Sequence, residues 1–210
     1  MPVDPVVLGA FVIAILAIVM SPGPDTMVIL RCALSSGVSA GMAAVAGVQA
    51  GLLVHTALAV LGISLIIASS PILFSAVAIA GAGYLGWLGI QSFRGGGTLG
   101  LENVSQRTTM ARSFRDAAMC NLLNPKVIIL FLALLPNFVD TSREDVPTQL
   151  IALAVVLIAV NVVWQLPIAW AADAVRRWIT GPMGQKLMSR ISGAILLAFA
   201  LLLLYDHFAR

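Results

Sequence analysis

Six stretches of this chain, roughly 5–36, 40–68, 71–93, 113–139, 148–172 and 187–206, are apolar over a length that meets or approaches a membrane span. A helix needs about 20 mostly apolar residues to cross the hydrocarbon of a bilayer. Lipid offers no partner to a backbone N–H or C=O, so such segments must satisfy their own backbone as helices. The alternating pattern of barrel strands is absent. Composition agrees, since 60% of the 210 residues are apolar and 10% charged, with a mean hydropathy of +1.02. A soluble domain carries about a quarter charged residues. The expected fold is therefore all-α: a polytopic membrane protein of about six transmembrane helices, forming a single domain over 1–210.

Charge sorts the connections into two kinds. The segments around Arg31, from Arg94 to Arg115 and from Arg176 to Arg190 hold most of the Lys and Arg residues. Ser69-Ser70-Pro71 has none, and 140–147 sets Arg143 among Asp140, Glu144 and Asp145. Because basic connections stay in the cytoplasm, both termini are expected outside. The net charge of +3 is scattered rather than gathered on one face, which argues against nucleic acid as a partner. Cys32 and Cys120 have neither C-x-x-C nor zinc-ligand spacing, so no metal or cofactor is expected. Asp4 stands where a secretory signal would carry Lys or Arg, so no such signal is expected.

Two spans are interrupted by proline, at Ser21-Pro22-Gly23-Pro24-Asp25 and at Asn121-Leu122-Leu123-Asn124-Pro125-Lys126. Proline lacks the N–H of the helix ladder and crowds the preceding turn, so each sequence should break its helix within the membrane. Each half then opens with a broken helix followed by two continuous ones: repeat one over about 5–93, repeat two over about 113–206, joined by a cytoplasmic linker over about 94–112. Three spans per half invert the second half relative to the first. In inverted-repeat transporters, interrupted segments at corresponding positions point to the binding site.

At both breaks a proline, Pro24 or Pro125, suits the first position of a new half-helix. Gly23 and Asn124 suit the caps before them. Opposed half-helix starts would bring positive dipole ends together, a setting for a carboxylate. Asp25 and Lys126 follow directly, although a charge at a helix centre costs about 2.5–3.5 kcal/mol on insertion scales. Asp25 is favoured by its own helix dipole; Lys126 is at the wrong end of its own and needs a partner. Two arrangements supply one. Lys126 and adjacent N–H groups hold a substrate carboxylate while Asp25 holds an ammonium or relays a proton; or Asp25 and Lys126 form a permanent ion pair.

Thr26 and Asn121 belong to the same two segments. Gln49 and His55 in the second span, and Asn161 and Gln165 in the fifth, either line a cavity between the halves or tie helices together through hydrogen bonds. Arg31 and Arg115 fit side chains snorkelling to the inner surface, and Pro167 should kink the fifth span. Gly81-Ala82-Gly83-Tyr84-Leu85-Gly86 matches a dinucleotide fingerprint, but no strand precedes it. Together with the G-x-x-x-G spacings Gly37/Gly41 and Gly47/Gly51, it reads as close helix packing, and one such face could support a homodimer.

The chain resembles the lysine-exporter (LysE) superfamily, and within it the homoserine/threonine-efflux (RhtB) type. The resemblance is carried by Ser21-Pro22-Gly23-Pro24-Asp25-Thr26 with the glycine-rich run to Gly51, by Ala82 to Ile90, and by Asn121 to Lys126 with Leu135-Pro136-Asn137-Phe138-Val139. It runs over nearly the whole chain. It implies a non-enzymatic exporter of an amino acid or amino acid derivative, driven by the proton gradient, in a prokaryotic inner membrane. Many members carry Asn where this chain has Asp25, so the resemblance does not carry a substrate over. Two other classes are consistent with parts of the sequence: a passive small-solute pore built on two half-helices, and a membrane thiol-redox carrier using Cys32 and Cys120. The two cysteines are not equivalent by the repeat, and nothing near either marks a lowered thiol pKa.

Overall fold

The computed structural model describes residues 2–21, 23–69, 107–172 and 182–209, with isolated positions between 72 and 90 and Ala174. Every regular element among the described residues is helical. The expected third span and most of the 94–112 linker lie outside them, including the continuous run that would test the Gly81–Gly86 packing face.

Helix α1 (Pro5–Met20) starts where the Asp4 carboxylate accepts the Val6 N–H at 2.8 Å, with Pro5 in the first turn. It stops at Ser21, and α2 (Pro24–Ser36) restarts on Pro24 with its axis turned by 55°. Helix α3 (Val38–Ser69) runs 32 residues. The second break repeats the first: α4 (Met110–Leu122) ends, α5 (Pro125–Ile129) restarts on Pro125, and the bend is 59°. Both breaks expected from proline are present, and at similar angles. Helices α6 (Val146–Trp170) and α7 (Pro182–Ala209) complete the described chain. The sixth expected span falls on α7. By length and composition α3 and α6 can cross a membrane, and each bent pair can as well if taken as one span.

Beyond α5 the helix does not continue as α. Leu130–Leu134 forms a wide π turn and Leu135–Phe138 a tight 3-10 turn. Pro136 is the physical cause. It has no N–H to give the carbonyl four residues back and its ring crowds that carbonyl, so the helix widens before the proline and tightens after it. The loop that follows is tied to α6 by Gln149, almost fully buried, which accepts from the Asp140 N–H at 2.8 Å and donates to the Asp140 carbonyl at 3.1 Å and the Asp145 carboxylate at 2.9 Å.

Apolar side chains lie on both sides of the fold. Phe11, Ile15, Ile29, Leu30, Leu134, Leu150, Leu153 and Leu157 are fully enclosed, while Leu58, Leu61, Val155, Val163 and Trp170 are exposed on the spanning helices. An apolar exterior on a helix of this length is the surface lipid requires.

Helix α3 packs closely against α4, and glycine makes it possible. A Cβ at Gly47 would stand inside the Phe114 carbonyl, and one at Gly51 would collide with the Asn121 side chain. Gly41 likewise faces Ala33 and Ala169, 2.7 and 3.2 Å from where its Cβ would be. These glycines therefore pack within the chain. Gly37 departs from the expected packing role: it has φ +85° and open space around it, so it ends α2 in the left-handed region that favours glycine.

Two predictions follow from these contacts. Gly47→Val should abolish stable folding, because the obstacle is backbone, whereas Gly62→Ala, with nothing within 4 Å, should leave the melting temperature in detergent unchanged or slightly raised. Equal behaviour of the two variants would refute the packing role. In the exposed loop, hydrogen bonds from Ser142 hold the Asp140 carboxyl below its ordinary pKa, and bonds from Arg143 and Gln149 do the same for Asp145. With folded values below unfolded ones, the contribution is complete above the ordinary carboxylate range and disappears as pH falls through the depressed values. Amide hydrogen exchange in 140–145 should therefore accelerate only in strong acid, relative to intrinsic rates.

Candidate functional site

A proline in a helix leaves a carbonyl without its donor. In α1 the Ala17 carbonyl still accepts the Ser21 N–H at 3.3 Å. The Ile18 carbonyl would need an N–H from residue 22, which is Pro22 and has none. The Lys126 ammonium takes that place. Its Nζ donates to the Ile18 carbonyl at 2.5 Å and the Ser21 carbonyl at 2.8 Å. A cation at the carbonyl end of a helix is also favoured by the dipole. The partner that Lys126 lacks on its own helix is thus the exposed end of α1, reached across Gly23, where a Cβ would stand 3.8 Å from Nζ.

The other break answers in kind. Asp25, in the first turn of α2, accepts from Asn121 Nδ2 at 2.9 Å and from Asn124 Nδ2 at 3.2 Å. Asn124 also caps α5, its Oδ1 accepting the Lys126 N–H at 3.0 Å. Each break therefore holds the charged residue of the other. Among the described residues Asp25 and Lys126 form no ion pair, and the two breaks are joined by these four bonds instead.

Between the breaks lies a cavity of about 40 Å³. Gly23, Asp25, Thr26, Asn124 and Lys126 line it from the breaks, Asn161 and Gln165 from α6, and Leu52, Leu130 and Leu157 supply apolar wall. Asn161 and Gln165 are four residues apart, on one face of α6, and are buried. Gln49 on α3 stands behind them. Its Nε2 donates to Asn161 Oδ1 at 3.1 Å and to Gln165 Oε1 at 2.9 Å.

Of the residues singled out in the sequence, seven line the cavity: Gly23, Asp25, Thr26, Asn124, Lys126, Asn161 and Gln165. Gln49, His55 and Asn121 do not, and their contacts are those of helix ties. His55 is buried, with Nε2 3.4 Å from the Asn121 carbonyl and its ring stacked on Phe131. Pro24 and Pro125 begin α2 and α5. At the second break the Lys126 N–H is already held by Asn124, and the helical run from Pro125 continues past Ile129 as π and 3-10 turns to Phe138. Arg31 and Arg115 reach Asp116 at 4.0 and 3.1 Å, beside Arg112. Cys32 is buried in the core and Cys120 is partly buried; both are free thiols, and neither lines the cavity. Sequence reasoning missed the Ile18 and Ser21 carbonyls. The signal was present: a lysine at the wrong end of its helix, and a carbonyl left without its donor by Pro22.

A helical chain with two broken helices enclosing charged and amide side chains beneath an apolar exterior is a multi-pass membrane protein of the transporter class. The sequence matches the family model described as LysE type translocator over residues 16–207, and the chain belongs to that family. It is 32% identical over 184 residues to a homoserine/homoserine lactone efflux protein of Salmonella typhimurium, covering 88% of this chain and 89% of the relative. It is 29% identical over 200 residues to a leucine efflux protein of Enterobacter sp., covering 90% and 91%. A membrane protein of Bacillus subtilis, YrhP, is 33% identical over 192 residues, covering 87% and 91%. No solved structure matches.

Asn124 does two jobs that substitution separates. Asn124→Ser keeps a cap for α5 and loses the bond to Asp25; Asn124→Ala loses both. Denaturation in detergent should rank the parent above Ser and Ser above Ala, the last step being about 0.5–2 kcal/mol. Three equal midpoints would show that neither bond matters to the fold.

Proposed function

We propose that this protein is a secondary transporter that exports an amino acid or amino acid derivative across the cytoplasmic membrane, coupled to the proton gradient. The observation that carries the reading is the cavity itself. A carboxylate and an ammonium that form no ion pair line one small volume, each hydrogen-bonded to neutral groups. Intramembrane charges of this kind mark substrate and proton pathways. A zwitterionic solute complements both: its ammonium on Asp25, its carboxylate at Lys126 and the amides of α6. Proton uptake by Asp25 in place of the ammonium then gives the coupling. Homoserine, its lactone and leucine head the candidates because the relatives are named for them.

In this reading the chain is one domain of six spans in two inverted repeats, with both termini outside a bacterial inner membrane. The 55° and 59° bends at corresponding positions support it. A cavity of about 40 Å³ holds only a few waters, at about 10–15 Å³ each, so an amino acid needs the walls to move apart. The four bonds across the breaks are the contacts such a movement must exchange.

The test is efflux from cells expressing the chain, measured by mass spectrometry across the amino acids and homoserine lactone, with and without an uncoupler. Export of a subset, lost with the uncoupler, is expected. Lys126→Met should abolish it with protein still present in the membrane. Normal export by that variant would overturn the site, and no export of any amino-acid-like solute would overturn the function.

A further inference from the structure

Gln49 is not among the residues lining this cavity, yet its hydrogen bonds decide what the cavity can bind. An amide side chain offers two N–H donors on nitrogen and two acceptor positions on oxygen. Both donors of Gln49 Nε2 are used, one on Asn161 Oδ1 and one on Gln165 Oε1. That bond pattern turns the oxygens of Asn161 and Gln165 toward α3. Their amide nitrogens have no partner among the described residues, while both residues line the cavity.

The opposite orientation of all three amides is the alternative to weigh. In it Gln49 Oε1 would accept from both neighbours and its Nε2 would occupy the place where Oε1 now lies. That place is buried and has no partner. The observed arrangement leaves one buried oxygen unpaired; the reversed one leaves a buried NH₂ with two unpaired donors. Orphaned donors are the rarer and costlier defect, so the observed orientation is the favoured one.

We infer that Gln49 is a positioning residue for substrate specificity: by holding both amide oxygens of α6, it leaves that wall of the cavity with hydrogen-bond donors only, and so selects the carboxylate or carbonyl end of the solute. Asp25 lines the same cavity as an acceptor, so donor amides and acceptor carboxylate together fix the polarity of the bound solute. The inference rests on the amino-acid reading of the cavity and deepens it. It also separates the roles of the two kinds of donor. Lys126 supplies charge, whereas the α6 amides supply direction, because they reject any group that can only donate.

The experiment compares amino acids with the primary amines left when the carboxylate is removed: homoserine with 3-aminopropan-1-ol, and leucine with 3-methylbutylamine. Each probe competes against efflux of the labelled parent amino acid from proteoliposomes, for the parent protein, Gln49→Glu and Gln165→Glu. The parent should prefer the amino acid at least tenfold. Gln49→Glu offers only oxygens to α6, so both amides turn and present acceptors to the cavity. Gln165→Glu keeps the bond from Gln49 and replaces a cavity-facing NH₂ by oxygen. Both variants should lose the preference through a raised KM for the amino acid, with the KM for the amine unchanged or lower. A tie that only supports the fold would instead lower transport of acid and amine alike. Gln165→Glu preserves the tie to α3, so it reports even where Gln49→Glu folds poorly. Unchanged discrimination in Gln165→Glu would overturn the inference with the transporter reading intact. Failure of the parent to take any amino acid of the efflux panel would overturn the reading on which it rests.

Discussion

Everything at the centre of this fold depends on an ammonium group meeting carbonyls that proline has deprived of a donor. Pro22 removes the N–H that would close the last turn of α1, and the carbonyl of the buried Ile18 is left without its helical donor. Left alone, such a group costs about 1–3 kcal/mol, and a buried unpaired lysine costs more. Each defect cancels the other. The contact joins residues more than a hundred positions apart, so it forms only when both breaks are correctly seated against each other. The bonds from Asn121 and Asn124 to Asp25 have the same long-range character.

Such a meeting requires that backbones come close, and α3 is the platform that allows it. Gly47 lets the α4 backbone lie directly on α3, and one turn later Gly51 makes room for Asn121, the residue that holds Asp25. One further turn on, His55 touches the Asn121 carbonyl. Gln49, between the two glycines, reaches the opposite way to α6. A single helix thus sets the depth of one wall of the cavity through absent side chains and the polarity of another through an amide. The glycine spacing that reads as close helix packing in sequence is used here, at Gly41, Gly47 and Gly51, within the chain.

The helical architecture was legible because lipid leaves so few alternatives: long apolar runs must be helices, and prolines inside them must break them. The positions of both breaks followed from that logic; Asp25, Thr26, Asn124 and Lys126 beside them line one cavity with Asn161 and Gln165, for which the sequence left cavity lining and helix ties equally open. What sequence could not give was the partner of each charge. Asp25 and Lys126 invite pairing as the two formal charges at the breaks, and the backbone carbonyls that actually hold Lys126 carry no letter of their own. Gly37 was misread for a related reason. Its spacing to Gly41 suggests packing, but its positive φ ends α2, and spacing alone cannot tell a cap from a groove. The wide turn at Leu130–Leu134 was equally hidden, because Pro136 could as well have ended the helix outright.

Keeping the two charges apart has a chemical consequence. An ion pair would direct donor and acceptor at each other and leave little for a third molecule. Here the Lys126 ammonium has three N–H donors, with two on the α1 carbonyls. The Asp25 carboxylate has about four acceptor positions and accepts two bonds from asparagine. Each group is therefore held by hydrogen bonds across the breaks and still has unused capacity. Neutral dipoles can do this where an opposite charge cannot, because a dipole's attraction falls off faster with distance and leaves the net charge in place. In the proposed function, a zwitterion entering between them meets a donor and an acceptor already held in position, which is the preorganisation that lets a small cavity bind selectively without first dismantling an ion pair.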